Sequence, residues 1–290
     1  MVEVTVIIPT MAEEKRGFAL FRAIESILLS SCNPVSIVVV VNGTVYSSNI
    51  LKKLKEHPAV KIIQQREASA PLACLNGRRV VESPYYCFLD DDDEYINGAI
   101  DYRLAKIKSD DKFDFVVTNG FRNFEGFDLI YLNEMSSIAE NPMASLFRQN
   151  WLTSCGALFC TDKVGVEYFE NYHPYVEWTW LAFKLSLDGK KIGVIDQPTF
   201  RIYDTAGSAS KSETYFYSIF ELYNKMLLLN PLPETVEIIR RRMGAWLHEN
   251  ADRCRRNGRL LDAWKSHLSS LVYPGGFRYV FFSRRLFSRS

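Results

Sequence analysis

The sequence lacks three features that would place it in a membrane or an oxidising compartment. It has no run of 18 apolar residues, which a membrane-spanning helix would need. Its first residues, MVEVTVIIPT, have neither the basic start nor the long apolar stretch of a signal peptide. The six cysteines include no C-x-x-C pair, and most lie in apolar segments, which argues against a zinc site or a disulfide framework. We therefore expect a cytoplasmic protein with reduced thiols.

The chain as a whole has no strong excess of positive or negative charge, since its formal net charge is +1. The charge is unevenly distributed, because residues 231–290 contain twelve Lys or Arg and only five Asp or Glu. The first 230 residues are therefore acidic overall. No internal repeat or low-complexity linker divides the chain. These features predict one domain over 1–211 and a basic helical region over 212–290.

The first 90 residues alternate between β-branched runs and segments with helical spacing. Strands are expected at 4–8 (stopped by Pro9), 36–41, 60–64, 85–89, 113–118, 155–160 and 191–195, and helices at 49–56, 70–82, 177–188, 212–230, 233–257 and 259–272. Strands that are apolar throughout are typical of a parallel sheet with helices on both faces. Ligands of such sheets bind beyond the carboxyl ends of the strands.

Four consecutive aspartates, Asp90–Asp93, and then Glu94 directly follow the fourth expected strand. Alternate carboxylates on a turn can converge, so Asp90 and Asp92 are suitably spaced to share a hard cation such as Mg²⁺, Mn²⁺ or Ca²⁺. An EF-hand is a poor fit, because its sixth loop position needs glycine and here is Tyr95. The alternative is a solvated acidic loop in which one aspartate caps the next helix.

Four stretches of the chain follow one another in an order and spacing typical of one enzyme family. They are VTVIIPT at 4–10, VVVVNGT at 38–44, LNGRRVVESPYYCFLDDDDEY at 75–95 and GALF at 156–159. Over about residues 3–210 the chain resembles the inverting glycosyltransferases of family 2. The resemblance implies the GT-A fold, an α/β fold with a Rossmann-like, mostly parallel central sheet, here followed by a C-terminal helical extension. It also implies a divalent metal, Mn²⁺ or Mg²⁺, bound by Asp92 on the donor's diphosphate, with Asp90 facing the ribose or the metal's water shell.

The resemblance implies further donor-binding residues. The positions that match the family's nucleotide site are Pro9, Thr10, Glu13, Asn42, Asn76, Asp90 and Asp91, and the serines of its closing loop match Ser208 and Ser210. Asp204 stands near that loop's usual histidine, as a third metal ligand or as a turn former. A UDP-sugar is the favoured donor. GDP- and dTDP-sugars are alternatives, because Asn42 follows Val41 where an aspartate usually reads the base.

Inversion at the anomeric carbon requires a base that takes the proton of the acceptor hydroxyl. The family places this base in an acidic pair that opens a late helix, and the matching pair here is Glu177-Trp178. Glu177 is therefore the candidate base; the alternative is a first-turn glutamate favoured by the helix dipole. The candidate acceptor contacts are Trp178, Ser154, Gly156 and Asp93, whereas Trp180 is expected in the core.

The basic C-terminal region lies outside the resemblance. Its last stretch, GGFRYVFFSRRLFSRS, interleaves aromatic residues with arginines, a pattern that suits anionic lipid headgroups. A peripheral contact with the inner face of the membrane would suit a lipid-linked acceptor. The alternatives are a packing helix with a solvated basic face and a homodimer contact. Nucleic acid is not an expected partner, because no known binding module is recognisable.

Together these features favour an inverting, metal-dependent glycosyltransferase. We expect it to move a sugar from a nucleotide-diphosphate donor to a hydroxyl of a glycan or lipid-linked acceptor in bacterial surface polysaccharide synthesis. One alternative is a sugar-phosphate nucleotidyltransferase, but PTMAEEKRG lacks the glycine-rich loop that such enzymes carry after the first strand. The other alternative is a non-catalytic nucleotide-sugar-binding protein.

Overall fold

A computed structural model describes residues 2–204 and 211–287 of the chain, which divides into two compact units, Met1–Ser208 and Ala209–Ser290. The strands of the first unit are β1 (Val4–Thr10), β2 (Val35–Asn42), β3 (Val60–Gln65), β4 (Tyr85–Phe88), β5 (Glu94–Tyr95), β6 (Phe115–Phe124), β7 (Phe127–Ile130), β8 (Ala157–Cys160) and β9 (Ile192–Tyr203). Its helices are α1 (Gly17–Leu29), α2 (Ser48–Glu56), α3 (Ala70–Arg79), α4 (Ala99–Lys108), α5 (Ser136–Glu140), α6 (Pro142–Arg148) and α7 (Glu177–Leu187). The helices of the second unit are α8 (Glu213–Leu227), α9 (Pro233–Arg256), α10 (Leu260–Leu271) and α11 (Ser283–Phe287).

One sheet runs through the first unit. The nine strands of its described part follow the order β3-β2-β1-β4-β8-β6-β9-β5, with β7 paired to β6. Strands β3, β2, β1 and β4 are parallel neighbours, as predicted, and α2 and α3 are among the helices that connect them. Strand β8 enters antiparallel between β4 and β6, and β9 runs parallel to β6. The carboxyl ends of β1, β2 and β4 therefore meet at one edge.

The centre of the sheet is buried on both faces. Strand β1 is buried at every position and β2 at its last six, which matches their continuous β-branched sequence. Helix α3 crosses close to this centre, because Gly77 lies directly against the side chains of Ile7 and Val40. Any side chain at position 77 would push into them. The apolar sequence of the strands thus fixes both the sheet and the distance of its covering helix.

The prediction that Pro9 stops the first strand is wrong, since β1 continues through Pro9 to Thr10. Ile7 accepts a hydrogen bond from the Leu89 N–H, so the N–H and C=O groups of residue 7 point toward β4. The backbone groups of residue 9, two positions along the strand, point the same way. Strand pairing with β4 ends at Ile7 and Phe88. The N–H that proline lacks therefore has no strand partner to lose.

Elements that form by pairing between segments far apart in the sequence were not predicted. The strand expected at 191–195 continues as β9 to Tyr203, and Glu94, the last carboxylate of the acidic run, forms β5 with Tyr95 against it. Strand β7 and helices α5 and α6 were not predicted either. Glu94 pairs with Arg201 and Tyr95 with Phe200, more than 100 residues away, so local sequence carries no signal for this ladder.

The second unit is helical, as expected. Helices α8, α9 and α10 correspond to the segments predicted at 212–230, 233–257 and 259–272. A small core joins α9 and α10 to the end of the chain; its members are Ala251, Cys254, Ala263, Phe282 and Leu286. In the residues that the structure describes, no helix has the length and hydropathy needed to cross a bilayer.

Candidate active site

The acidic run lies at the carboxyl end of β4, beside the end of β1. The Leu89 N–H donates to the Ile7 carbonyl at 3.0 Å, so the run begins where pairing with β1 ends. A tight turn follows, closed by the Asp93 N–H, which donates to the Asp90 carbonyl at 3.2 Å. Strand β5 then begins at Glu94. Because the sheet holds both ends of the turn, the directions of its carboxylates are fixed.

The four aspartates divide into two buried and two accessible side chains. Asp91 and Asp93 are only 4% and 3% exposed. Asp90 and Asp92 are partly exposed. The two accessible aspartates are therefore the alternate pair that the sequence spacing favours as a cation site.

Asp91 is held by β1 and by the connection that follows it. The Thr10 hydroxyl donates to Asp91 Oδ2 at 2.6 Å, and Arg16 Nη2 lies 3.0 Å from Asp91 Oδ1. Burial raises the pKa of Asp91 to about 6, although the charge of Arg16 and the bond from Thr10 act in the opposite direction. Both Asp91 oxygens are thus engaged by the protein. Donor contact through Asp91 would have to replace one of these bonds.

Asp93 points into the protein. The Tyr203 N–H donates to Asp93 Oδ1 at 3.0 Å, and the Cys155 thiol lies 3.9 Å from Oδ2. Burial raises the pKa of Asp93 well above its usual range, and the charges of Asp90 and Asp92 raise it further. Asp93 therefore ties the acidic turn to β9 and to the loop before β8. Its enclosure gives no support to the predicted acceptor contact.

Asp90 receives a hydrogen bond from the predicted acceptor side. The Ser154 hydroxyl donates to Asp90 Oδ2 at 2.7 Å. Burial raises the pKa of Asp90 to about 7; the Ser154 bond opposes this, and the charges of Asp92, Asp91 and Glu177 reinforce it. Enclosure is therefore the main reason that the pKa of Asp90 is raised, and the neighbouring carboxylates add to it.

Asp92 is held by two arginines. Arg16 Nη2 lies 2.5 Å from Asp92 Oδ2, and the Arg22 guanidinium donates to the Asp92 backbone carbonyl. Within residues 2–204 and 211–287, no hydrogen bond engages Oδ1 of either Asp90 or Asp92. Each of these two carboxylates therefore keeps one oxygen for a ligand.

The donor set of Asp90 and Asp92 fits a hard divalent cation. Magnesium and similar ions often take one or two protein carboxylates and complete their shell with water and substrate phosphates. Across the described ranges, no group of three or more His, Cys, Asp or Glu could hold a metal by itself. A cation here would also offset the charges of Asp92 and Asp91, which add to the effect of burial on the pKa of Asp90. The site thus fits a cation that is completed by substrate.

Glu94 belongs to a separate network behind the turn. It forms an ion pair with Arg201 and accepts a hydrogen bond from the Tyr203 hydroxyl at 3.0 Å. Arg22 Nε lies 3.5 Å from the other Glu94 oxygen, and the Arg22 guanidinium stacks 3.8 Å from the centre of the Tyr203 ring. Arg201 also pairs with Asp128 at 2.7 Å. Glu94 is therefore committed to the fold rather than to a ligand.

Glu177 opens α7 at the wall of a small cavity of about 20 Å³. The cavity is otherwise mostly apolar, with aromatic neighbours that include Tyr172 and Trp178. Glu177 Oε2 is enclosed and has no hydrogen-bond partner among the described residues. Burial raises the pKa of Glu177, and its charge raises the pKa of both Cys74 and Asp90. Glu177 is therefore an under-compensated carboxylate close to the acidic turn.

The two tryptophans beside Glu177 have different environments. Trp180 is 2% exposed, and its indole N–H donates to the Asn171 carbonyl at 2.9 Å, which confirms the predicted core position. Trp178 is partly exposed and packs edge-to-face on Phe88 with ring centres 5.2 Å apart. Since Phe88 ends β4, Trp178 lies next to the strand that carries the acidic turn.

The other predicted donor residues line the same edge. Pro9 and Thr10 end β1. Asn42 ends β2 and is 5% exposed. The Asn76 amide donates to Gln65 Oε1 at 2.8 Å, which connects α3 to the end of β3. Glu13, just after β1, lies 2.9 Å from the Lys15 ammonium. The structure thus brings the residues predicted from four separate segments to one sheet edge.

The loop before β8 is fixed from inside the protein. Arg103, which is fully buried, donates to the Cys155 carbonyl at 2.7 Å and to the Thr199 hydroxyl at 2.6 Å. At Gly156, a Cβ would come within 2.8 Å of Thr153 Oγ1 and 3.2 Å of the Phe200 ring. The backbone that presents Ser154 to Asp90 therefore cannot shift freely.

The closing loop can be followed only at its start. Ser208 and Ser210 lie outside the described residues. Asp204 donates its backbone N–H to the Asn123 carbonyl at 3.1 Å, and its carboxylate lies 3.7 Å from Arg122. These contacts place Asp204 against β6.

Sequence reasoning missed the arginines that organise the site. Arg16 and Arg22 lie in the connection between β1 and α1 and in α1 itself, and Arg201 lies in β9. The only signal for Arg16 is its place shortly after the first strand, within the ligand edge. The partners of Arg22 and Arg201 are fixed by pairing between β5 and β9, which the sequence does not reveal.

Comparison with known proteins decides the family. The sequence profile described as Glycosyl transferase family 2 matches residues 5–167, more than half of the chain. The chain belongs to this family. It is therefore a glycosyltransferase, as the sequence motifs predicted.

Solved structures confirm the fold class. A crystal structure of residues 1–349 of TarS from S. aureus in complex with UDP-GlcNAc matches with a TM-score of 0.61 and 16% identity, covering 90% of this chain and 76% of that one. The UDP complex of the same protein matches with a TM-score of 0.57 and 16% identity, covering 90% and 75%. At this identity the likeness shows the GT-A type of α/β fold and nothing finer.

A relative of annotated activity is a teichoic acid poly(glycerol phosphate) polymerase of Staphylococcus epidermidis. It is 25% identical over 213 residues, which is 69% of this chain. The match spans only 29% of the length of that relative. The chain therefore matches less than a third of the length of that relative.

Replacing Glu177 by glutamine is expected to stabilise the protein at neutral pH. Because burial raises the pKa of Glu177 above its ordinary value of 4.5, the neutral carboxyl is compatible with the folded state, and the ionised carboxylate destabilises that state as pH rises from 4.5 through the folded pKa. Glutamine carries no charge, so Glu177→Gln should raise Tm at pH 8 by roughly 2–4 °C and by less near pH 5. Calorimetry at both pH values measures this.

The matched control is Glu82→Gln, which removes an exposed carboxylate. It should leave Tm unchanged at both pH values. A Glu177→Gln gain that does not depend on pH would contradict the assignment of the raised pKa.

Proposed function

We propose that the enzyme transfers a sugar from a nucleotide-diphosphate donor to an acceptor hydroxyl with inversion, and that it requires Mn²⁺ or Mg²⁺. The observation that carries this proposal is the grouping of three carboxylates. Asp90 and Asp92 are the accessible aspartates at the end of β4, and Glu177 lies close enough to raise the pKa of Asp90. A cation site next to an under-compensated base is the arrangement that the reaction needs.

Glu177 supplies the proton chemistry in this proposal. Its raised pKa makes it a stronger base than an ordinary glutamate. Glu177 takes the proton of the acceptor hydroxyl while that oxygen forms its bond to the anomeric carbon. The bond between this carbon and the diphosphate oxygen breaks on the opposite face, so the configuration inverts and the nucleoside diphosphate leaves. Protonated Glu177 then returns its proton to solvent.

Asp90 and Asp92 hold the cation and position the donor. When bound, the cation stabilises the negative charge that develops on the leaving diphosphate. Asp91 and Asp93 face inward and keep the turn rigid through their bonds to Thr10 and Tyr203. The rigid turn places Asp90 and Asp92 without reorganisation at the moment of reaction.

The relatives support a donor class and a product class. TarS binds UDP-GlcNAc and UDP, which supports a UDP-sugar donor. The teichoic acid polymerase supports a role in synthesis of a cell-surface polymer, with a glycan or lipid-linked acceptor. A thermal-shift screen of UDP-, dTDP- and GDP-sugars with Mn²⁺ tests the donor. Stabilisation by UDP-sugars alone is the expected result.

Removing the Asp92 carboxylate should abolish metal-dependent donor binding. Asp92→Ala is expected to lose Mn²⁺-dependent binding of UDP and to lower the transfer rate by about 10²-fold or more, because the leaving diphosphate loses its charge stabilisation. Calorimetry and a UDP-release assay measure the two effects. Asp111→Ala, which removes an exposed carboxylate elsewhere, should change neither. Full binding and turnover in Asp92→Ala would exclude the cation site.

Glu177→Gln should separate binding from chemistry. Glutamine keeps the shape of the side chain but cannot accept the proton, so UDP binding should remain while transfer falls by about 10²–10⁴-fold. In the wild type, kcat/KM should decline on the acid side at a pH above 4.5, because the base must be unprotonated. Glu82→Gln is again the control. Near wild-type transfer by Glu177→Gln would rule it out as the base.

We also propose that the segment 276–287 contacts an anionic membrane surface. Phe282 and Leu286 anchor it in the core of the second unit, whereas Phe277, Phe281 and Phe287 are 81%, 69% and 76% exposed. The same segment carries Arg278, Arg284 and Arg285, and the sequence contains no Asp or Glu after Asp262. Exposed aromatic rings among arginines complement anionic headgroups more closely than a protein surface of mixed charge.

Sedimentation with lipid vesicles tests this contact. The double variant Phe277→Ala/Phe281→Ala should bind phosphatidylglycerol vesicles several-fold more weakly than the wild type, because it loses the apolar part of the contact. Leu261→Ala, an 88% exposed leucine of α10, is the control. Equal binding of the double variant would reject the membrane contact. Loss of self-association in light scattering, without an effect on vesicles, would favour a homodimer contact instead.

A further inference from the structure

Arg16 is the cationic side chain that lies directly against the proposed cation ligand. Its Nη2 is 2.5 Å from Asp92 Oδ2 and 3.0 Å from Asp91 Oδ1. We propose that Arg16 binds the diphosphate of the donor and shares Asp92 with the divalent cation, so that the site works with two cations. This inference rests on the proposed function, because it requires a nucleoside diphosphate at the acidic turn.

The position of Arg16 is set from inside the protein. Thr10 holds Asp91 through a 2.6 Å hydrogen bond, and Asp91 in turn holds Arg16. Arg22 fixes the backbone of Asp92 through its carbonyl. The Asp91 side chain is 5% exposed, whereas that of Arg16 is 37% exposed. The guanidinium is thus anchored on its inner side and open on its outer side.

The open side of Arg16 carries suitable donors. A guanidinium has five N–H groups in a planar fork that matches two phosphate oxygens. Both ion pairs of Arg16 use Nη2. The nitrogens Nη1 and Nε make no hydrogen bond with any residue in the part of the chain that the structure describes. They are available to bind the oxygens of a phosphate.

The charges at the turn call for more than one cation. Asp90, Asp91 and Asp92 crowd negative charge at the place where the donor's diphosphate must lie. A divalent cation and Arg16 together offset the carboxylates and the diphosphate better than either alone. In the absence of nucleotide, however, the two cations compete for Asp92. Arg16 should therefore weaken the binding of the metal alone and strengthen the binding of the nucleotide.

These opposite effects on metal binding and nucleotide binding distinguish the proposed role of Arg16 from a purely structural one. Calorimetry measures the affinity for Mn²⁺ alone, and then for UDP in the presence of saturating Mn²⁺, in the full chain. Arg16→Ala should bind Mn²⁺ alone several-fold more tightly and UDP about tenfold or more weakly. Arg16→Lys should lie between the wild type and Arg16→Ala for UDP, because a lysine keeps the charge and loses the fork.

Lys15→Ala is the matched control. It removes the same charge from the same turn, but Lys15 is 78% exposed and its ion pair is with Glu13. It should change neither affinity. Circular dichroism of each variant confirms folding before binding is measured.

The outcomes separate the two proposals. If the wild type binds Mn²⁺ and UDP and Arg16→Ala binds UDP equally well, this inference is overturned and the proposed function stands. Weaker binding of both ligands in Arg16→Ala would also overturn it, because that is the effect of a structural residue. If the wild type binds neither ligand, the proposed function fails and the inference fails with it.

Discussion

Two buried carboxylates at the edge of the sheet are the constraint on which the site depends. Enclosing an ionised carboxylate costs several kcal/mol unless donors surround it. Asp91 obtains its donors from Thr10 and Arg16, and Asp93 obtains its main donor from the Tyr203 backbone. The end of β1, the turn before α1 and the end of β9 are thereby drawn to one place. Asp90 and Asp92 can remain accessible because their neighbours hold the turn.

Asp90, Glu177 and Glu94 differ in how fully the protein compensates their negative charge. Ser154 donates to Asp90, yet burial and neighbouring charges still raise its pKa to about 7. Glu177 has an enclosed oxygen without a partner among the described residues. By contrast, Glu94 is surrounded by Arg22, Arg201 and Tyr203, all of which compensate it. Glu94, which serves the fold, is thus satisfied by its partners, whereas Asp90 and Glu177, which would meet a substrate, are left under-compensated.

The sequence was sufficient for the parallel half of the sheet and for placing the acidic run, with Asp90 and Asp92 as its predicted cation ligands, at the end of a buried strand. Their signals are local: β-branched runs, and the spacing of alternate carboxylates after a buried strand. The sequence could not distinguish Asp93, whose inward direction depends on Tyr203, 110 residues later. It could not reveal β5 or the partners of Arg16 and Arg201 for the same reason. Contacts between distant segments require the fold itself, and the site is built mainly from such contacts.

The packing around the Phe200 ring limits which substitutions this sequence can accept. Gly120 leaves room for one side of the ring, and Gly156, next to the Cys155 backbone, lies against another. Phe200 in turn pairs with Tyr95 of the short strand that follows the acidic turn. Neither glycine can acquire a side chain unless its neighbours give way, which are the Phe200 ring at position 120 and both Thr153 and Phe200 at position 156. Among homologues, positions 120, 156 and 200 should therefore vary together or not at all, while the neighbouring surface diverges freely.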